Sequence, residues 1–185
     1  MLTDFGQPLG GVAQFAYTVP DIEAAMAEYT ARLRVGPWFV RGPFRPLAGS
    51  YRGQPCTAQL TLARAFCGHA MIELIQQHDD QPSVFRERIE AAGYGFHHWG
   101  IAVTDLDAAV AGYTAQGYQA AFSDRLPSGA RIVYMDTLAT LPGMVELIEF
   151  TPDQDRHYTA MHAAAIGWDG SDPVRRAAAD TGGMA

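Results

Sequence analysis

Along the 185-residue chain the spacing of apolar residues changes in a regular succession. Residues 11–19 are apolar and partly alternating, the signature of a strand with one buried face. Asp21 then stands where a helix N-cap belongs, and Ile22, Ala25, Met26, Tyr29 and Leu33 recur at helical spacing. Residues 37–40 predict a short strand, 57–64 an alternating one and 70–76 a fourth. The same order then returns: strand 98–103, helix 105–116, and strands 118–123, 131–136 and 144–150. Between the two sets, residues 82–92 predict a linker helix that ends at Gly93. Residues 153–166 predict a terminal helix, followed by GWDGSDPVRR and a small-residue tail expected to be loose.

The succession is a sequence repeat. QFAYTVPDIEAAMAEYTA begins at Gln14 and returns as HWGIAVTDLDAAVAGYTA, which begins at His98. MIELIQ at Met71 returns in the same way as MVELIE at Met144. Two echoes in one order define two modules, 11–77 and 96–150, and module one is the longer between its echoes. The excess falls in RGPFRPLAGSYRGQP, residues 41–55, whose Gly, Pro and Arg content predicts a long loop.

Composition narrows the chemistry. All 13 basic residues are arginine, so a Schiff-base lysine and a Walker phosphate loop are both excluded. The net charge is −7 and no arginine stripe forms, which argues against nucleic acid as a partner. Cys56 and Cys67 have no metal or redox spacing and are expected to be ordinary buried or half-buried thiols. No apolar run is long enough for a membrane span, and the N-terminus lacks the marks of a signal peptide, so the expected compartment is the cytoplasm.

The repeat also places polar residues at matched positions. Gln14 and His98 occupy the same place on the first strand of their modules, and Glu73 and Glu146 the same place on the last. If the modules pair about a pseudo-twofold axis, these four side chains can converge on one point. One imidazole among oxygen donors suits a divalent ion such as Zn, Ni, Co, Mn or Fe, and two carboxylates neutralise its charge. Alternation allows a second arrangement, with Glu73 and Glu146 facing solvent and Ile72, Leu74, Val145 and Leu147 forming the core.

The strand–helix–three-strand tandem and the elements QFAYTVPD, IELI, HHWGIAVTD and VELI resemble the vicinal oxygen chelate superfamily. That superfamily includes glyoxalase I, methylmalonyl-CoA epimerase, extradiol dioxygenases and antibiotic-sequestering proteins. The resemblance covers about residues 11–150 and implies an α+β fold. Two tandem βαβββ modules would share one open, barrel-like sheet in a domain spanning 1–150, with a C-terminal helix and tail over 151–185. It implies metal ligation by Gln14, Glu73, His98 and Glu146, and a homodimer. His98 takes the ligand position because the family places it five residues before the strand valine, here Val103. His97 then points the other way, with a packing or hydrogen-bonding role.

The implied chemistry is that of a metal-dependent isomerase, epimerase or lyase. A proton leaves the carbon beside a carbonyl of a small-molecule substrate, with Glu73 or Glu146 as the base. Two departures argue against a glutathione substrate: Thr18 and Tyr94 stand where the eukaryotic glyoxalase I has arginines. Arg41, Arg45, Arg52 and Tyr51 on the long loop are candidate substrate contacts, or else solvated loop charge. Trp38, Phe39, Phe44 and Tyr51 give this region an aromatic character that fits a pocket wall for a larger substrate, and core packing explains Trp38 and Phe39 equally well. Two alternatives stand beside this reading: a metal-free small-molecule binding protein of the same fold, and an Fe(II) ring-cleaving dioxygenase. The 168–176 tail is expected to fold back as a lid or to dock on a second subunit.

Overall fold

A computed structural model describes residues 2–176. Module one comprises β1 (Val12–Thr18), α1 (Ile22–Leu33), β2 (Trp38–Phe44), a two-residue hairpin β3 (Ser50–Tyr51) and β4 (Gln54–Pro55), β5 (Leu60–Cys67) and β6 (Ala70–Gln77). The linker helix is α2 (Val84–Ala92). Module two comprises β7 (Gly95–Val103), α3 (Leu106–Ala115), β8 (Gln119–Arg125), β9 (Arg131–Asp136) and β10 (Met144–Glu149). After it come α4 (Pro152–Ala165) and β11 (Val174–Arg176).

Local chemistry sets the helix starts. Asp21 accepts from the Ala24 amide at 3.0 Å and Asp105 from the Ala108 amide at 2.9 Å, the same cap in both modules. Ser83 caps α2 by accepting from the Phe85 and Arg86 amides. Thr151 caps α4, with Pro152 as its first residue.

The eleven strands of the described residues join one open sheet in the order β11-β2-β5-β6-β1-β7-β10-β9-β8-β3-β4. The order of the eight principal strands is symmetric about the antiparallel pair β1 and β7. Register obeys the same symmetry. Gln14 pairs with Met71 and Ala16 with Glu73; in module two His98 pairs with Met144 and Gly100 with Glu146.

Both faces of the sheet are covered, which explains why MIELIQ and MVELIE read as apolar on both sides. On the outer face, Ile22 and Met26 of α1 pack with Trp38, Ala63 and Leu74, while Leu106 of α3 packs with Met135, Val145 and Leu147. The inner face holds two apolar clusters. One gathers Leu60, Leu62, Phe85, Phe122 and Ile132; the other gathers Phe5, Phe66, Met71, Tyr158 and Met161 beneath α4. Polar side chains separate them: Arg64 lies between Leu62 and Phe66 along β5, and Glu146 between Met144 and Ile148 along β10. Ile72, Leu74, Val145 and Leu147 do form core, but on the helix-covered face; Glu73 and Glu146 point inward at 1% and 4% exposure.

The 41–55 stretch departs from a plain loop. β2 continues to Phe44, and β3 crosses to pair with β8 of the other module, Tyr51 opposite Phe122. Its turn has positive φ at Arg52 (46°) and Gly53 (79°), the geometry of a tight hairpin written without the usual Asn-Gly signal. Short strands of this kind carry no periodicity to read. Strand β5 also begins later than the alternation of 57–64 suggests, because residues 57–59 form the approach to the sheet. Cys56 is buried and Cys67 exposed rather than half-buried, and both are free.

The tail folds back on its own chain. β11 extends the sheet parallel to β2, Trp168 lies against Gly36, and Arg176 ion-pairs with Glu23. It covers the module-one edge, and residues 177–185 of the predicted loose tail lie outside the described residues. Among the described residues no helix is long and apolar enough to cross a membrane.

Candidate metal centre

The register brings Gln14, Glu73, His98 and Glu146 together on the inner face between the two apolar clusters. Gln14 Nε2 stands 3.1 Å from both Glu73 Oε2 and Glu146 Oε2, and 3.3 Å from His98 Nε2. His98 Nε2 is 3.6 Å from Glu73 Oε2 and 3.1 Å from Glu146 Oε2. One ligand atom from each of Glu73, His98 and Glu146 fits within 4.8 Å of the others.

Each carboxylate has a different cross-strand neighbour. Arg64 on β5 pairs in register with Glu73 and donates from Nε to Oε1 at 2.6 Å. Tyr134 on β9 pairs in register with Glu146, and its hydroxyl donates to that carboxylate. Both partners escape a reading based on periodicity alone. Arg64 is the more accessible: a tight turn at Gly68–His69 sets Cys67 opposite Ala70, and counting back places Arg64 opposite Glu73.

Burial dominates the electrostatics. It raises Glu146 to about 7, against the opposing pull of Arg64 and the hydrogen bonds from Tyr134 and Gln14. It also raises Glu73, which Arg64 pulls back toward the charged form. The same burial lowers His98 to about 4 and His97 to about 3, so both rings are neutral at pH 7. Burial works against the Arg64 charge, but Glu73 holds it above its ordinary range.

The donor set suits a cation. Gln14 Oε1 is buried and has no hydrogen-bond partner among the described residues, while its two amide hydrogens face three acceptor groups. Turning the amide over would set its oxygen beside two carboxylates, which is favourable only around a positive ion. Space is reserved as well. A Cβ at Gly100 would lie 2.8 Å from Gln14 Cβ, so the residue between Gln14 and Glu146 must be glycine for Gln14 to reach inward. Three oxygen donors and one imidazole accept Zn, Ni, Co, Mn or Fe alike.

A small cleft opens onto this centre. Glu146, Arg64 and Tyr134 form its polar floor, and Leu60, Leu62, Phe44, Phe85, Phe122 and Ile132 are among its apolar walls. Arg41 lines the cleft and stacks over Phe44, 3.8 Å from the ring centroid. The other loop candidates are held elsewhere. Arg45 donates to the Thr57 carbonyl and pairs with Asp79. Arg52 pairs with Glu87 and Asp136, and Tyr51 donates to Glu87 at 2.6 Å, so together they clamp the β3–β4 hairpin onto α2 and β9. Trp38 belongs to the outer core and Phe39 packs toward α4, whereas Phe44 lines the cleft. His97 faces away from the centre, as expected, toward Val84 and Phe85.

A pseudo-symmetric pair of βαβββ modules around a buried Gln/Glu/His/Glu set defines a vicinal-oxygen-chelate architecture. The chain belongs to the Glyoxalase/Bleomycin resistance protein/Dioxygenase superfamily, whose family model matches residues 13–135. Among solved structures it is similar to methylmalonyl-CoA epimerase from Mycobacterium tuberculosis, with 20% identity, TM-score 0.55, and coverage of 78% of this chain and 90% of that one. A hypothetical protein from Bacillus halodurans gives 17% identity, TM-score 0.56, and coverage of 76% and 94%. A variant of Streptomyces coelicolor methylmalonyl-CoA epimerase in complex with 2-nitronate-propionyl-CoA gives 16% identity, TM-score 0.54, and coverage of 76% and 94%. At these identities the likeness is one of fold. No curated protein matches the chain.

Proposed function

We propose that this protein is a divalent-metal-dependent isomerase or epimerase that moves a proton at the carbon beside a carbonyl. The observation that carries the reading is the position of Glu146. It is the one carboxylate of the quartet that lines the apolar cleft, where a base can reach the carbon-bound proton of a substrate. Gln14, Glu73, His98 and Glu146 would hold the ion, which supplies Lewis-acid polarisation of the substrate's carbonyl oxygen.

The chain's own residues divide the remaining work. Glu146 accepts the proton: the C–H bond breaks, its electron pair moves into the carbonyl system, and an O–H bond forms on the carboxylate. Return of the proton to the other face, or to a neighbouring atom, gives the epimer or isomer. The Tyr134 hydroxyl holds the Glu146 carboxylate in place. Glu73 occupies only the Nε–H of Arg64, and the terminal nitrogens have no acceptor among the described residues. They are available to the oxygen on which negative charge develops. The apolar walls keep water from the carbanion-like state. The superfamily's methylmalonyl-CoA epimerases make an acyl thioester one reasonable substrate class; the aromatic walls suit an aryl ketone equally.

The test is metal content together with deuterium exchange. Protein purified without chelator should hold about one divalent ion per chain. It should also exchange the carbon-bound proton of a thioester or aryl ketone in deuterated water, and chelation should stop that exchange. A chain that takes up no divalent ion overturns the reading and favours a binding protein of the same fold.

A further inference from the structure

We propose that His97 is a positioning residue that fixes the tautomer of its neighbour, so that His98 Nε2 always presents a lone pair to the centre. The inference builds on the proposed metal site and assigns His97 a role through His98.

Its warrant is a chain of two hydrogen bonds with only one consistent direction. His97 Nε2 lies 3.1 Å from the Val84 carbonyl oxygen, which can only accept, so Nε2 carries the hydrogen. His97 is fully buried against Phe85 and Tyr134, and no carboxylate hydrogen-bonds it among the described residues. A neutral ring with its hydrogen on Nε2 has a bare Nδ1. That Nδ1 is 2.9 Å from His98 Nδ1, which must therefore donate. His98 is then bare at Nε2, the atom facing Gln14, Glu73 and Glu146. The opposite tautomer of His98 would set two lone pairs against each other at 2.9 Å.

The repeat supports the assignment. The module-one counterpart of His97 is Ala13, and it precedes Gln14, a ligand with no tautomer to set. The second histidine is present only in the module whose ligand is a histidine. The relay is anchored at the start of α2, where Ser83 fixes the helix that carries Val84. A main-chain carbonyl of the linker helix thus dictates which nitrogen is offered to the ion.

Two measurements on the full chain test this. Nitrogen-15 NMR of histidine-labelled, metal-free protein should find His98 protonated at Nδ1; protonation at Nε2 overturns the proposal. Zn²⁺ affinity by chelator competition should fall about 10–100-fold in His97→Leu. His97→Gln should stay close to the parent, because its carboxamide can accept from His98 and donate to Val84. Equal loss in both variants, or no loss in His97→Leu, overturns it. If His97→Leu does not fold, the parent's NMR tautomer and the His97→Gln affinity still decide. If the parent binds no Zn²⁺, the metal reading fails while NMR still decides the tautomer.

Discussion

Modules one and two share a strand order, a helix cap and a register, yet they treat their equivalent glutamates differently. Glu73 is held by a guanidinium across the hairpin, and Glu146 by a phenol. An ion pair with Arg64 pulls one carboxylate toward its charged form, against the burial that raises it. The other has only neutral donors, Tyr134 and Gln14, and burial raises it to about 7 where it opens to the cleft. Symmetry builds the centre, and the two cross-strand partners break it; under the proposed function one glutamate would hold the ion and the other would move the proton.

The largest expected effect comes from exchanging those roles. Glu146→Gln should lower the proton-exchange rate by about 10²–10⁴-fold even at saturating metal. Glu73→Gln should instead weaken metal binding, with exchange recovered as the ion is raised. Comparable losses at saturating metal would erase the distinction. Next is the ion pair. Arg64→Met leaves Glu73 buried without its cation and should lower stability by about 3–5 kcal/mol, read by urea denaturation. A change within error would show that Glu73 is neutral in the fold.

The smallest effect concerns the phenol. Burial raises Glu146 to about 7, so below that pH a proton competes with the ion, and divalent affinity should fall by up to about tenfold per unit. Above pH 7 the dependence should flatten. Tyr134→Phe removes a hydrogen bond to the charged form, so the midpoint of that profile should move upward, with about 1 kcal/mol of stability lost. An unchanged midpoint would remove Tyr134 from the comparison.

Much of this was legible in the sequence because the repeat supplied what a single strand cannot. One Glu between apolar neighbours leaves its facing ambiguous. The two matched echoes put Gln14, Glu73, His98 and Glu146 in one frame, and their shared order gave the βαβββ succession. Local chemistry set the caps at Asp21, Asp105 and Ser83. What stayed hidden depends on pairing between distant strands. Arg64 and Tyr134 gain their roles only from lying opposite Glu73 and Glu146, and Gly100 only from the close approach of Gln14. The clamp of Arg52 and Tyr51 on Glu87 joins a module-one loop to the linker helix, and nothing in the loop's composition indicates it. Periodicity reports which face of an element is buried; only the tertiary structure decides which polar groups meet there, because that follows from register and from which side the helices cover.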